Sequence, residues 1–169
     1  ELRAAQDLAE QHGVAPLLLG ANEALDLLPR IARAQGALLL PLLRASAEPK
    51  ELELAGKAHA AGVRIAFVGE TGESLRWSAA LAVRHGLDPK VAWTSVTQTP
   101  AELLGTVAQV GTLRTGSRAD IVAFNGDPQD LTSRITAAWS AGVDRPQHPK
   151  KGHNKGPPTK RTPNRGDPN

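Results

Sequence analysis

Three short apolar runs alternate with helical segments in the first hundred residues, and this alternation constrains the fold more than any other feature of the chain. The runs cover residues 15–19, 37–43 and 63–68. Each is short, apolar and close to a glycine, which is typical of a strand buried on both faces of a parallel sheet. The segments between the runs repeat their apolar residues at helical spacing. The sequence therefore predicts an α/β fold made of β/α units.

The predicted helices can be bounded by their end signals. They cover Glu1 to Gln11, residues 23–34 with Asn22 as the cap, Glu51 to Ala61, Ser74 to His85, and Pro89 to Val96 with Asp88 as the cap. Glycines at positions 13 and 62 are placed to end two of them. Three such strands do not close a barrel. Their unpaired edges lead us to expect that the isolated chain aggregates, associates with other copies or needs the missing part of the barrel.

The stretch from Thr97 to Pro128 begins with the signals of a short helix. Thr99 is placed to cap it, Pro100 suits its first position, and Glu102 completes a T-x-x-E capping box. Gly105 stands where a left-handed residue would end the last turn. We therefore predict a capped helix that begins at Pro100.

The rest of this stretch predicts a β-hairpin. Gly111 opens a short run, Gly116 turns the chain, and residues 119–124 form a β-branched run. The pair Asn125-Gly126 that follows is a strong signal for a tight turn. Local chemistry thus indicates a helix that leads into antiparallel strands.

These motifs resemble the C-terminal signature of the amidohydrolase superfamily. The matching patterns are Thr-x-x-Pro-Ala-x-x-Leu-Gly, then V-G-T-L-x-x-G-x-x-A-D-I-V, then N-G-D-P. The imidazolonepropionase-like branch of metal-dependent hydrolases is the most similar, and the resemblance extends from about Leu8 to Val143. It implies the last β/α units of a TIM-like (β/α)8 barrel, roughly strands six to eight, followed by part of a small composite β-domain.

The chain divides on this basis into three parts. Residues 1–105 are the expected portion of the barrel, 106–143 the hairpin part of the composite domain, and 144–169 a tail. The tail contains seven Lys or Arg against two Asp and no Val, Ile, Leu, Phe or Trp. Such a segment cannot bury enough apolar surface to offset its ordering entropy, so we expect it to be disordered.

Length and composition limit the possible functions. A TIM barrel needs about 250 residues, whereas this chain has 169 and no methionine. We therefore expect a fragment of a longer protein, inactive by itself. The absence of cysteine excludes disulfides and thiolate metal sites. No stretch is long enough to cross a membrane. We favour the cytoplasm, and a signal sequence upstream of Glu1 stays open.

One candidate catalytic residue follows from the resemblance. The family uses a divalent metal, for which we favour zinc, with an H-x-H pair on the first strand and an Asp after the last strand. That Asp binds the metal and takes a proton from water. No H-x-H spacing occurs in this chain, and the Asp position falls on Glu70, after Phe67. Glu70 is either a working base or ligand, or a solvated loop carboxylate in a degenerate site.

The remaining candidates have plainer interpretations. Three histidines, His12, His59 and His85, stand near predicted helix ends, where a cation suits the helix dipole. Asp120 is interpreted as a structural hairpin residue. The tryptophans, Trp77, Trp93 and Trp139, are interpreted as packing residues. His148 and His153 fall in the tail, where a single pair could bind a metal only loosely.

The predicted function is hydrolysis of a C–N bond in a small-molecule amide or cyclic amide by the metal-dependent parent protein. No metal ligand can be assigned within this chain, and a homo-oligomer stays possible. One alternative is a catalytically degenerate scaffold or binding protein on the same fold. The other is a module that binds nucleic acid through the basic tail, which is disfavoured because the tail has no aromatic residue for base stacking.

Overall fold

A computed structural model describes residues 1–20 and 23–145 of the chain. Its helices are α1 Leu2–His12, α2 Leu28–Arg33, α3 Pro49–Ala60, α4 Gly72–Arg84, α5 Pro89–Thr94 and α6 Gln98–Leu103, and a 3-10 turn, Ala24–Leu27, precedes α2. Its strands are β1 Leu17–Leu19, β2 Ala37–Leu40, β3 Arg64–Phe67, β4 Ile121–Phe124, β5 Ile135–Ser140 and β6 Val143–Asp144. The predicted cap Asn22 and the tail beyond Arg145 lie outside the described residues.

The first three strands form a parallel sheet in the order β1-β2-β3. Leu38 in the central strand pairs with Leu18 on one side and Ile65 on the other, and all three side chains are buried. The predicted α/β fold with β/α units is thereby confirmed. Within the described residues the sheet is partial and does not close into a barrel.

Helices α2, α3 and α4 contribute to one hydrophobic core together with the parallel sheet. Ile31 and Leu54 are among its largest fully buried side chains. The expectation that all three strands are buried on both faces is wrong for β1, where Leu17 is 48% and Leu19 66% exposed. Leu17 and Leu19 share the face of β1 opposite to Leu18, and the described residues cover only the face that carries Leu18.

Several predicted helix ends are confirmed. Gly13 follows α1 with φ +64°, and Gly62 follows α3 with φ +80°, a conformation that only glycine adopts without strain. Asp88 caps α5 by accepting hydrogen bonds from the backbone N–H groups of Lys90 at 2.8 Å and Val91 at 3.2 Å. These ends depend on local backbone chemistry, which the sequence shows directly.

The predicted start of α6 is wrong. The helix begins at Gln98, so Pro100 is its third residue, and no side chain caps it. Backbone hydrogen bonds carry the chain directly from α5 into α6, and the Thr97 hydroxyl donates to the Trp93 carbonyl at 2.8 Å. This tight connection leaves no extended residue at Thr99 to act as a cap. Gly105 ends the helix with φ +69°, as predicted.

The C-terminal strands form an antiparallel sheet in the order β4-β5-β6. Two details of the predicted hairpin are wrong: the segment opened by Gly111 forms turns rather than a strand, and Asn125-Gly126 is not a two-residue turn. Residues 125–134 connect β4 to β5 instead. Asn125 closes this connection, because its Oδ1 accepts from Arg134 N at 2.7 Å and its own N–H donates to the Arg134 carbonyl at 3.1 Å.

The β4–β5 connection is docked on the helices of the first part of the chain. Arg76 on α4 donates to the carbonyls of Pro128, Asp130 and Ser133, and its guanidinium lies 5.1 Å from the centre of the Phe124 ring. The side chain of Gln129 donates to the carbonyl of Pro89, at the start of α5. The antiparallel sheet is therefore joined to the β/α units through side chain–backbone contacts.

A cluster of charges joins α1 to α2. Arg30 donates to Glu10 at 2.7 Å and 3.0 Å and to Asp7 at 2.6 Å. The hydrogen bond from Arg30, assisted by one from the Gln6 amide, lowers the pKa of Glu10 to about 2. The neutral form of Glu10 is disfavoured in this cluster, so folding is linked to the ionisation of this carboxyl group.

We expect the stabilisation from Glu10 to be lost in acid. A carboxyl with a lowered folded pKa contributes above its unfolded pKa of about 4.3, and the contribution disappears as the pH falls through the folded value near 2. The melting temperature of the wild type should exceed that of Glu10→Gln at pH 7, and the difference should shrink between about pH 4.5 and pH 2. Thermal unfolding, monitored by circular dichroism, gives the melting temperatures of both proteins at each pH. In an Arg30→Met background the difference in melting temperature caused by Glu10→Gln should be nearly absent. A difference between wild type and Glu10→Gln that stays constant with pH would contradict the linkage.

Candidate functional site

The carboxyl ends of the parallel strands mark the edge where a site is expected. In sheets of this kind, ligands bind outside the carboxyl ends of the strands, on the loops that follow them. Here the loop after β2 begins at Pro41 and the loop after β3 covers residues 68–71. The two loops are neighbours because β2 and β3 pair directly along residues 37–40 and 64–67.

A cleft of about 390 Å³ lies at this edge. One wall is the loop after β2, from Leu42 to Arg44. The other is the beginning of α4, which contributes Thr71, Glu73, Ser74 and Trp77. A second cleft of about 150 Å³ lies between the beginning of α1 and the 3-10 turn that precedes α2. The larger cleft is the better candidate, because residues that follow both β2 and β3 line it and one of them, Thr71, adjoins Glu70.

The two walls of the cleft are held together by a buried serine. Ser78 is fully buried on α4, and its Oγ accepts a hydrogen bond from Leu43 N at 3.0 Å while donating to the Ser74 carbonyl at 3.0 Å. Gly69 lies close beneath the first wall, because a Cβ atom there would come within 2.4 Å of the Leu42 side chain. The positions of both walls are thus set by buried contacts.

The beginning of α4 is fixed by reciprocal capping. Thr71 Oγ1 accepts from Ser74 N at 3.1 Å, and Thr71 N donates to Ser74 Oγ at 3.3 Å. The helix therefore starts at Gly72, two residues before the predicted start at Ser74. Sequence reasoning overlooked this cap, although threonine is one of the preferred N-cap residues.

Glu70 lies in the loop directly after β3. Its side chain is exposed and makes no hydrogen bond or ion pair with any other described residue. It is next to Thr71 in sequence but is not part of the cleft wall. The predicted position at the carboxyl end of the last parallel strand is therefore where the structure places Glu70, while its role stays a prediction.

The described residues do not fit a metal site around Glu70. Residues 1–20 and 23–145 contain no group of three or more His, Asp or Glu side chains arranged to hold an ion. Three histidines end helices: His12 is the last residue of α1, His59 lies in the last turn of α3, and His85 follows α4. The helices run opposite to the strands, so their C-terminal ends lie at the other edge of the sheet from Glu70.

Asp120 is engaged in the backbone of the antiparallel sheet. Its Oδ1 accepts from Ala141 N at 2.8 Å, and its Oδ2 pairs with Arg118 at 2.5 Å. The hydrogen bond from Ala141, followed by the one from Arg118, lowers the pKa of Asp120. These contacts hold the turn after β5, where Ala141 has φ +51°. They agree with the structural role predicted for this residue.

The tryptophans differ in their exposure. Trp77 is 42% and Trp93 36% exposed, so each packs with only part of its ring, and Trp139 is half-buried in β5. Trp77 is exposed because it stands on the side of α4 that faces the cleft. Sequence reasoning selected none of the cleft residues, Arg44 and Trp77 included, as functional.

The architecture is that of α/β proteins built from parallel β/α units, and in such proteins the carboxyl edge of the sheet is the usual binding region. The chain belongs to the amidohydrolase family, whose family profile matches residues 4–151. The subgroup within the family is a separate question. As to membranes, no helix within residues 1–20 and 23–145 has the length and apolar character needed to span a bilayer.

Solved structures similar to this chain include three hydrolases. An amidohydrolase from Thermotoga maritima MSB8 is 25% identical, with a TM-score of 0.74 over 85% of this chain and 40% of that chain. A Xaa-Pro dipeptidase with bound methionine in the active site is 22% identical, with a TM-score of 0.53 over 86% of this chain and 37% of that one. A prolidase complexed with N-methylphosphonate-L-proline is 21% identical, with a TM-score of 0.50 over 86% and 38%.

The extent of these matches limits what they show. The chain spans about 40% of the length of the solved structures that it resembles. No curated protein shows significant similarity to it. Family membership and the fold are thus established, and the activity of the whole protein is a matter for proposal.

Proposed function

We propose that this chain is part of a metal-dependent amidohydrolase that hydrolyses a C–N bond in a small-molecule amide or cyclic amide. The single observation that carries the proposal is the position of Glu70, directly after the last parallel strand in a chain of the amidohydrolase family. The hydrolases among the similar structures support the reaction class. Within the family, the V-G-T-L and A-D-I-V motifs favour the imidazolonepropionase-like branch.

The proposed role of Glu70 is proton transfer. An ionised carboxylate can accept a proton from the water that attacks an amide carbon and return it to the leaving nitrogen. Glu70 is exposed and unpaired among the described residues, so water can reach its oxygens. The family implies a divalent metal, for which we favour zinc, but the described residues do not assemble a site for it. We therefore assign this chain no metal ligand, and in the whole protein the (β/α)8 barrel would be completed by further β/α units.

A second function is favoured by the same surroundings of Glu70. None of the histidines at positions 12, 59 and 85 reaches the carboxyl edge of the sheet. Glu has one methylene more than the Asp of the family pattern, and displacements of about 1 Å can reduce a rate about a hundredfold. A catalytically degenerate scaffold that still binds small molecules is accordingly the alternative.

The deciding experiment compares the 169-residue chain with a longer chain that includes the sequence encoded upstream. We expect metal bound in stoichiometric amount and chelator-sensitive amide hydrolysis only in the longer chain. Glu70→Gln should reduce turnover at least about a hundredfold, because the amide cannot accept the proton. Glu102→Gln makes the same change at an exposed position on α6, outside the cleft, and is the matched control for turnover. Metal-free protein without turnover would leave the scaffold as the function.

A further inference from the structure

The cleft at the carboxyl edge combines an unpaired cation with an apolar wall. Arg44 is exposed, and its guanidinium makes no hydrogen bond or ion pair with another described residue. Leu42 lines the cleft beside it, and Trp77 stands 42% exposed on the opposite wall. Three other arginines are engaged: Arg30 with two carboxylates, Arg76 with three carbonyls and Arg118 with Asp120. Arg84 is also exposed without a described side-chain partner, but it does not line the cleft. Arg44 is therefore available to a ligand.

We propose that this cleft binds a small monocarboxylate with an apolar side chain, of the kind that an N-acylated or peptide-linked amino acid presents. Arg44 holds the carboxylate, since the planar guanidinium offers two parallel N–H donors to the two carboxylate oxygens. Leu42 and the face of Trp77 cover the apolar side chain. A volume of about 390 Å³ is at the lower end of the range for small-molecule sites, which suits a ligand of this size.

Glu73 decides between carboxylate and phosphate. Arginine binds both groups well, so Arg44 alone would not discriminate. Glu73 lies on the wall opposite Arg44 and also makes no ion pair with a described residue. Its negative charge disfavours a dianion in the same cleft and tolerates a ligand with a single negative charge. The charge pattern of the cleft thus disfavours a phosphate dianion and is compatible with the monocarboxylate that we propose.

The position of the walls makes the cleft a preformed site. The hydrogen bond from Leu43 N to the buried Ser78 fixes the backbone next to Arg44, and the capping box of Thr71 and Ser74 fixes the start of the other wall. Little order has to be gained on binding, which lowers its entropic cost. The binding itself does not depend on the proposed amidohydrolase function. Only the statement that the bound amino acid is the acid part of a substrate rests on that function.

The test measures binding to the 169-residue chain by calorimetry and by quenching of tryptophan fluorescence. The wild type is titrated with N-acetyl-L-leucine and with its uncharged amide. The Arg44→Met variant is titrated with N-acetyl-L-leucine. We expect binding of the acid, with affinity at least about tenfold lower for the amide and for Arg44→Met. Arg84→Met, at the other end of α4, makes the same change of charge and should bind like the wild type. Trp77→Phe should remove the ligand-dependent quenching.

The outcomes separate the two proposals. Equal binding of acid and amide, no binding at millimolar concentration, or an Arg44→Met variant that binds normally would overturn the carboxylate site. Circular dichroism of Arg44→Met must match the wild type, and since this side chain is exposed and unpaired we expect the variant to fold. Carboxylate-dependent binding in a protein whose longer form hydrolyses nothing would support this inference and sink the hydrolase. If the longer chain hydrolyses amides equally well with and without a carboxylate, the hydrolase proposal is supported and the carboxylate site is overturned.

Discussion

Replacing Gly111 by alanine is expected to lower the free energy of unfolding by about 2–5 kcal/mol. Gly111 has φ +87°, which costs an L-residue about 1–2 kcal/mol. In addition, a Cβ atom there would lie 2.8 Å from the Thr97 carbonyl oxygen and 2.8 Å from the Cβ of buried Ala101. Backbone cannot move aside as a flexible side chain can, so α6 would be displaced from its contact with β3.

Gly116 provides the matched control for this prediction. It has φ +89°, close to the value at Gly111, but a Cβ atom there would meet nothing within 4 Å. Gly116→Ala should therefore cost only the conformational strain of about 1–2 kcal/mol. Urea unfolding of the two variants and the wild type measures the difference. Equal losses would mean that the close approach to α6 contributes nothing.

Arg76→Ala is expected to lower the free energy of unfolding by about 2–3 kcal/mol, since hydrogen bonds to charged groups contribute about 1.5–3 kcal/mol each and the freed carbonyls partly recover water. Arg76 donates to the carbonyls of Pro128, Asp130 and Ser133 and lies over the Phe124 ring. The variant should also speed hydrogen exchange within residues 128–133, because the connection loses its attachment to α4. Denaturant unfolding and exchange mass spectrometry measure the two effects.

Two further variants assign the effect of Arg76 to its geometry. Arg76→Lys keeps the charge but cannot present a planar fork to three carbonyls, so it should restore less than half of the lost stability. Arg84→Ala removes an exposed arginine from the end of the same helix and should change stability by no more than about 0.5 kcal/mol. Full recovery with lysine would show that charge, not the fork, holds the connection.

Much of the first part of the fold could be predicted from the sequence. Periodicity separated the strands from the helices, and glycines such as Gly13 and Gly62 ended helices where local backbone geometry requires φ above zero. Asp88 was identified as a cap for the same reason, since a cap depends on residues within one turn of itself. The amidohydrolase resemblance was also carried by local motifs, and the family was right.

The errors have two physical causes: competition between neighbouring local signals, and contact between segments far apart in sequence. Thr99 looked like a cap, but the path of the chain out of α5 set the start of α6. Asn125-Gly126 looked like a tight turn, but the connection to β5 runs over ten residues and is held by Arg76, about fifty residues earlier. Turn signals in the sequence contain no information about a distant partner such as Arg76.

Local chemistry alone therefore determined the β/α alternation, the helix ends and the family of this protein, and it placed Glu70 after the last parallel strand. Tertiary structure alone decided that Trp77 is exposed, that Arg44 stands opposite Glu73 across one cleft, and that the described histidines lie at the other edge of the sheet. Periodicity and capping act within a few residues, whereas a cleft exists only where β2, β3 and α4 pack together. The position of a candidate base can thus be read from sequence, but its surroundings cannot.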